Sequence, residues 1–374
     1  MLRESLRVQS RSAGPFAHTA RTWEDLLEIY PDSQYLLRVV ADMRWMSGAH
    51  ISALELYKKV REKDTTTGYK TENAGLSARL NHSVLQSYKY NPTNMSKYGS
   101  QRWQSTITSD NPTELLAHDA FTPRDYQDIR NVWNSLSEID QRKYVNYLCV
   151  ETQALEGAAL FDDATTKKLV NTGFTNVEIK NNNIRGGEIT DCADAVSLLQ
   201  DTFKTIEMVT SSAFLDEDPA PLDIKTICDL HLLLMKSSRV LPGTSSSGAQ
   251  GSTVVVKYTH IGKTRQDLKF NVTAKQSGDQ AVGHIQYCPY DVVDAELNVF
   301  CDRFNYLIRQ NVDPFFVSAW SQHVFLTIHP FEDGNGRLSR ILSSIPLLRN
   351  KLPPLSIPIR QKQNYMTSLD HVRL

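Results

Sequence analysis

The run Thr327-Ile-His-Pro-Phe-Glu-Asp-Gly-Asn-Gly-Arg-Leu-Ser-Arg340 gathers the residue types that phosphate chemistry needs. His329 carries an imidazole whose ordinary pKa, about 6.5, suits a general base at neutral pH. Asp333 offers a hard oxygen ligand able to hold Mg²⁺ against phosphates. Asp333-Gly-Asn-Gly336 tolerates left-handed backbone and lets the main chain approach a ligand closely. A helix starting there would point N–H groups and its positive dipole end at an anion. Arg337 and Arg340, three residues apart, share one helix face and add planar forks for phosphate oxygens. Taken singly these features are weak, since a His before a Pro is often a helix-end hydrogen bonder and Gly-x-Gly is common. Base, metal ligand, anion cradle and two arginines together describe nucleotide phosphate chemistry.

Such a site needs one helix that stops before His329 and another that starts beyond the glycines. Val317, Trp320, Val324 and Ile328 form a helical stripe, and Pro330 pushes His329 away from helical dihedrals, so that helix should end at about Ile328. The following helix, RLSRILSSI, contains Pro346 a little further on, which is expected to kink or end it. Helical patterning also covers 124–161, 190–213, 223–237 and 294–310, with a surface loop at Asn181-Asn-Asn183 and Arg185-Gly-Gly187. The Gly/Ser-rich loop 241–252 and the short runs STVVVKYTHIG, KFNVT and HIQY read as a hairpin or two. Near the N-terminus, Thr22-Trp-Glu-Asp25 looks like a helix start, Pro31 interrupts, and a second periodic stretch from Ser33 to Glu62 breaks near Gly48. The segment AHISALELYKKVRE could be half of a helical repeat, but no second copy follows at a fixed period. Residues 63–112 carry no sustained period and read as an irregular linker.

HPFEDGNGR-x-x-R resembles the H-x-F-x-[DE]-G-N-G-R-x-x-R signature of Fic-domain proteins and matches it at every fixed position. The resemblance implies a mainly α, Fic-type helical bundle with a small β-hairpin flap, in a protein adenylyltransferase that moves AMP from Mg-ATP to a Ser, Thr or Tyr hydroxyl of a target protein. It further implies that His329 deprotonates the hydroxyl, Asp333 holds Mg²⁺, and Asn335 with the Gly334 and Gly336 amides grips the phosphates. Arg337 would assist there, Arg340 would meet the γ-phosphate, and Phe331 would be a core anchor. Gly336 departs from the kinase-like branch, which has Lys in that place. ICDLHLLLM (227–235) looks like the family's early core helix, and HIQYCPYDV (284–292) like the flap strand that aligns the target by strand addition. In that strand Ile285, Gln286 and Tyr287 are the aligning positions. Gln286 and Tyr287 replace two usual prolines, and an insertion around 263–281 lengthens the preceding hairpin. Tyr290 is either part of this flap or an exposed strand residue. The family pattern usually continues beyond the helix corresponding to QNYMTSLDHV with a Gly-Asp-x-x-Pro segment and another helix, which this sequence does not carry.

Thr152-Gln-Ala-Leu-Glu156-Gly157 fits the [ST]-x-x-x-E-[GN] motif of the self-inhibiting helix found N-terminal to some Fic cores. As a bare pattern it could equally be a solvated carboxylate beside a glycine stop. The resemblance implies that Glu156 pairs with Arg340 and competes with the γ-phosphate of ATP. Two alternatives stay open: an enzyme that removes AMP from a modified protein, alone or with the forward reaction, and a degenerate module that binds nucleotide or a partner without turnover.

Composition bounds the rest. The chain has 374 residues, 41 basic against 42 acidic side chains, 40% hydrophobic and 22% charged residues, enough for two or three domains. The domain reading is a tail at 1–22, a helical region with linker at 23–112, a helical region bearing Glu156 at 113–213, and the Fic core at 214–374. A net charge of -1 argues against gripping nucleic acid by bulk charge, and no apolar run suits a membrane span, so neither is an expected partner. Five scattered cysteines without C-x-x-C spacing suit a reducing compartment, intracellular and cytoplasmic. The Arg- and Ser-rich first 22 residues fit either a mitochondrial presequence or a tail. Family members often dimerise, so a homodimer is an implied partner.

Overall fold

The structure, a computed structural model, describes residues 13–63, 103, 105, 123–216, 220–242, 256–275 and 284–372. In chain order its main helices are α1 (Ala13–Ile29), α2 (Gln34–Met46), α3 (His50–Lys63), α4 (Pro123–Ser135), α5 (Glu138–Leu155), α6 (Asp163–Thr172), α7 (Cys192–Val209), α8 (Ile224–Leu234), α9 (Val293–Arg309), α10 (Pro314–Ile328), α11 (Asn335–Arg349) and α12 (Lys362–Val372). The strands are β1 (Leu160–Phe161), β2 (Ile184–Gly186), β3 (Val240–Pro242), β4 (Val256–Tyr258), β5 (Thr273–Lys275) and β6 (His284–Gln286). They pair as antiparallel two-stranded ribbons, β1 with β2, β3 with β4 and β5 with β6. The fold is mainly α. Most of the expected irregular linker at 63–112 and the Gly/Ser loop beyond Pro242 lie outside the described residues.

The chain forms two compact units. The first joins α1–α3 to the β3–β4 hairpin around a core of Ala17, Ala20, Leu37, Val40, Met43 and Val240. Its hairpin was expected in the Fic core at 214–374, but belongs with the N-terminal helices. Two further expectations are corrected here. Thr22 does not start a helix: α1 begins at Ala13, and the Thr22 hydroxyl donates to the His18 carbonyl at 3.0 Å from within it. Over 13–22 the tail reading also fails, because Ala17 and Ala20 are wholly buried. Small residues at that spacing bury a close-packed helix face without the large apolar side chains that would have advertised it. In the same unit Glu24, 2% exposed, accepts from Arg44 Nε at 2.8 Å and Nη2 at 2.6 Å, and lies 3.8 Å from Arg239 Nη1.

The second unit holds α4–α12, β1–β2 and β5–β6. Side-chain caps set its boundaries. Ser137 Oγ accepts from the Asp140 N–H at 3.2 Å, splitting the expected 124–161 helix into α4 and α5. Asp223 and Asp313 cap α8 and α10 by accepting from Thr226 at 2.7 Å and Phe316 at 2.8 Å, and Pro314 occupies the first turn of α10. Phe300, Phe325, Phe331, Leu338 and Leu342 are fully buried among α9–α11 and the loop between α10 and α11. Pro346 does not end α11, which runs on to Arg349. Residues 337–347 of this helix are buried all round, and tertiary packing outweighs the hydrogen bond that proline omits. All five cysteines are free. Among the described residues, no helix is long and apolar enough to cross a membrane.

Candidate active site

The apolar stripe of α10 carries the chain to Ile328, and His329 closes the helix with φ 52° and ψ 60°, in the left-handed region. Its N–H still donates to the Phe325 carbonyl at 2.9 Å. A proline-preceding residue was expected to leave helical dihedrals, and it does so, to the left-handed side. That conformation costs a non-glycine residue about 1–3 kcal/mol, so its surroundings must hold it.

The loop then turns on two buried supports. Phe331 is fully buried and stacks flat on His231 of α8, centroids 3.7 Å apart at 3°. Asn335, 2% exposed, accepts the Phe331 N–H at 2.9 Å and donates to the Phe331 carbonyl at 2.8 Å. That side chain is spent closing the loop, which leaves the main-chain N–H as what Asn335 offers an anion. Gly334, with φ 77°, is the N-cap of α11, and no side chain caps the helix there. A Cβ at Gly334 would stand 2.6 Å from Met235 Sδ, which with the positive φ explains glycine. The first turn of a helix has no intrahelical acceptors for its N–H groups, so an uncapped N-terminus beside Gly336 is an anion site.

Arg337 and Arg340 follow on one face, both buried, at 5% and 2% exposure. Arg337 Nη2 lies 3.7 Å from Asp333 Oδ1, and that oxygen also accepts the Gly334 N–H at 2.7 Å. Asp333 keeps a side chain 40% exposed, a hard oxygen donor at the mouth of the anion cradle, which fits a Mg²⁺ that keeps waters and phosphate oxygens as its other ligands. No cluster of three or more His, Cys, Asp or Glu side chains suited to a metal occurs among the described residues.

Glu156 is brought into this cradle from α5, whose C-cap it is. Its Oε1 accepts from Arg340 Nη2 at 2.6 Å, and a Cβ added to Gly336 would lie only 3.0 Å from its Cδ and Oε2. The protein's own carboxylate thus sits against the helix N-terminus where an anion belongs. Arg340 Nε, buried, has no acceptor among the described residues, so the guanidinium retains capacity for a second oxygen.

The expected flap is present as β5–β6, with Ala274 opposite Ile285 and Thr273 opposite Gln286. The hairpin is antiparallel and two-stranded, the kind of short ribbon to which a further strand can add. Ile285 and Gln286 are both 6% exposed, so neither side chain is presented at the surface. Tyr287 stacks on the His329 imidazole, centroids 3.8 Å apart at 18°. Tyr290 lies in a 3₁₀ turn after the strand, not in it.

Two buried residues escaped the sequence reading. His231 accepts the Gly262 N–H at Nδ1 (2.9 Å), so its hydrogen resides on Nε2, which donates to the Asp333 carbonyl at 3.0 Å. Burial pushes its pKa down to about 4, keeping it neutral. The signal available was a histidine inside the apolar run ICDLHLLLM, more often a satisfied core residue than a working one. The other is Arg265, wholly buried, with three guanidinium hydrogen bonds to backbone carbonyls.

Residues 221–347 match the Fic/DOC family profile, about a third of the chain. Over 88 residues the chain is 30% identical to protein adenylyltransferase fic-1 of Caenorhabditis elegans, covering 24% of this chain and 17% of that protein. Over 57 residues it is 44% identical to a Fido domain-containing protein of Dictyostelium discoideum, covering 15% of this chain and 39% of that one. These matches therefore span well under half of each relative's length. Among solved structures, a Fic domain containing signaling protein from Bacteroides thetaiotaomicron overlays with a TM-score of 0.47 at 19% identity, covering 66% of this chain and 80% of that one. Fic-1 from C. elegans overlays with 0.45 at 15% identity, covering 94% and 83%.

Proposed function

We propose that this chain, whose residues 221–347 match the Fic/DOC family profile, is a protein adenylyltransferase transferring AMP from Mg-ATP to a Ser, Thr or Tyr hydroxyl of a target protein. The observation that carries this is the uncapped, glycine-led N-terminus of α11, with buried Arg340 beneath it and His329 at the other end of the same short loop. The curated relatives named protein adenylyltransferase agree with it.

The Gly336 region and Arg337 would hold the phosphates, and Arg340 would take the γ-phosphate once Glu156 withdraws. Asp333 would hold Mg²⁺, which supplies charge neutralisation to the phosphate oxygens. The target segment would add alongside β6 and bring its hydroxyl to His329. His329 takes the hydroxyl proton as the oxygen bonds to the α-phosphorus; the bond to the bridging oxygen of the β-phosphate breaks, and pyrophosphate leaves. His329 must be neutral to accept that proton.

Glu156 would keep the enzyme off, since its carboxylate competes for the same guanidinium. A second reading rests on the same residue. With its side chain 30% exposed, Glu156 could also orient a water that removes AMP from a modified target, so one site could run in both directions.

α-Labelled ATP with Mg²⁺ tests the proposal on wild type, Glu156→Gly, and Glu156→Gly with His329→Ala, reading label on the chain and in a cell lysate. Label only in Glu156→Gly, lost with His329→Ala, is the expected outcome. Mg-ATP binding by calorimetry without label in any form would instead make this a nucleotide-binding module without turnover.

A further inference from the structure

Arg265 lies outside the signature and none of its side chain reaches solvent. Its Nε–H donates to the His329 carbonyl at 2.7 Å, and Nη2 donates to the carbonyls of Ile328 at 3.0 Å and Cys288 at 2.6 Å. Its own main-chain N–H donates to the Pro330 carbonyl at 2.7 Å. Three consecutive carbonyls of the catalytic loop and one at the exit of the flap strand thus converge on a single residue. Burying a guanidinium is costly, and here burial pushes its pKa down to about 10, which still leaves it a cation at neutral pH.

What that cation secures is specific. The last carbonyls of a helix lack intrahelical donors, and Arg265 serves that of Ile328 as well as that of His329, the residue held in left-handed backbone. The same planar fork reaches Cys288, the residue after Tyr287, whose ring lies over the His329 imidazole. Cys288 is tied back a second time, its N–H donating to the Thr327 carbonyl at 3.3 Å. The base and the strand that presents the target's hydroxyl are therefore referenced to one rigid group.

We infer that Arg265 is a positioning residue for the transfer step: it fixes the spacing between the His329 backbone and the exit of β6, so that a hydroxyl aligned on the flap arrives within reach of the imidazole. The inference rests on the adenylyltransferase reading for His329 and β6. It predicts a loss in the maximal rate and none in nucleotide affinity, because Arg265 bonds the loop before the cradle and not the first turn of α11.

Arg265→Lys and Arg265→Gln, each made in the full chain with Glu156→Gly, provide the test. Lysine keeps the charge but cannot span three carbonyls in one plane, and glutamine keeps donors without charge. Self-labelling from α-labelled Mg-ATP is measured against ATP concentration, Mg-ATP affinity by calorimetry, and amide hydrogen exchange over 284–290, 326–332 and 335–349. The expected result for Arg265→Lys is a maximal rate lower by about 30-fold, Mg-ATP affinity within about twofold, and faster exchange at 284–290 and 326–332 together, with 335–349 unchanged. A rate within about threefold of the parent, or unchanged exchange at both segments, overturns the inference. So does a parallel loss of Mg-ATP affinity or of the thermal transition in both variants, which would make Arg265 a folding residue only. If the Glu156→Gly parent itself transfers no label, the adenylyltransferase reading fails, while the exchange data still decide whether Arg265 ties the two segments.

Discussion

Replacing Glu156 with glycine probes the contact between α5 and the cradle, and its size can be worked from the geometry. Arg340 is 2% exposed at its side chain and stands 2.6 Å from Glu156 Oε1, whose own side chain is 30% exposed. Breaking a fully buried pair by removing one partner costs roughly 3–5 kcal/mol, because the remaining charge is left in a poor medium. Part exposure of Glu156, and water entering beside Gly336, reduce this to about 2–3 kcal/mol. Since about 1 kcal/mol moves the midpoint of a unit of this size by about 2–4 °C, the variant without nucleotide should melt about 4–12 °C below wild type. Mg-ATP should act in the opposite sense. In wild type the γ-phosphate must first displace the carboxylate, so the same 2–3 kcal/mol appears as roughly 30- to 150-fold weaker binding. At a hundredfold excess over its Kd a ligand adds about 2.7 kcal/mol, enough to bring the variant back to the midpoint of the unliganded wild type. Glu156→Gln, which keeps an acceptor but no charge, should fall between the two. Scanning fluorimetry and calorimetry measure both quantities. Equal Mg-ATP affinities in wild type and Glu156→Gly, with an unchanged midpoint, would refute the competition.

Other perturbations report on the supports of the site. Gly334→Ala forces a Cβ to 2.9 Å from Met235 Cγ and 3.2 Å from His231 Nε2 at a backbone φ of 77°; urea unfolding should show a loss of about 1–3 kcal/mol, with Mg-ATP binding weakened alongside. His231 has a folded pKa of about 4, depressed by burial, so the unfolded chain takes up its proton first as pH falls. Its contribution is whole above about pH 6.5 and declines toward pH 4, amounting to about 2 kcal/mol lost between pH 7.5 and pH 5; His231→Gln should flatten the urea-derived stability profile over that window. In the first unit, Glu24→Ala would strand Arg44, whose side chain is 16% exposed, while Arg239 keeps its ion pair with Glu28; the cost should be about 3 kcal/mol in urea unfolding of the full chain. Burial alone would push the Arg44 pKa down, but its hydrogen bonds to Glu24 raise it above the ordinary arginine range, and an unchanged transition in the variant would contradict that coupling.

Much of this was legible from the chain alone, wherever the determinant is local. Pro330 two residues beyond Ile328 ends α10, Gly334 takes the left-handed cap of α11, and Asp223 and Asp313 start helices by bonding N–H groups three residues on. Such features depend on dihedral preferences and hydrogen bonds within one turn, which the residues carry with them. The presence of Glu156 in a helix ending at Gly157 was equally local, but its arrival at Arg340, 184 positions away, was not, and only the family resemblance implied it. Nor was the direction of Asn335, whose side chain closes its own loop instead of facing a ligand, because only the folded loop sets the Phe331 backbone beside it. Pro346 looked like a stop and is passed over, since burial on every side of α11 outweighs one missing hydrogen bond. Ala17 and Ala20 looked like a tail and are core, since small side chains gain their burial only from what packs on them. His231 and Arg265 belong to the same class. A polar side chain announces nothing about its partners until distant backbone is brought to it, and in this chain that backbone is the strained loop around His329.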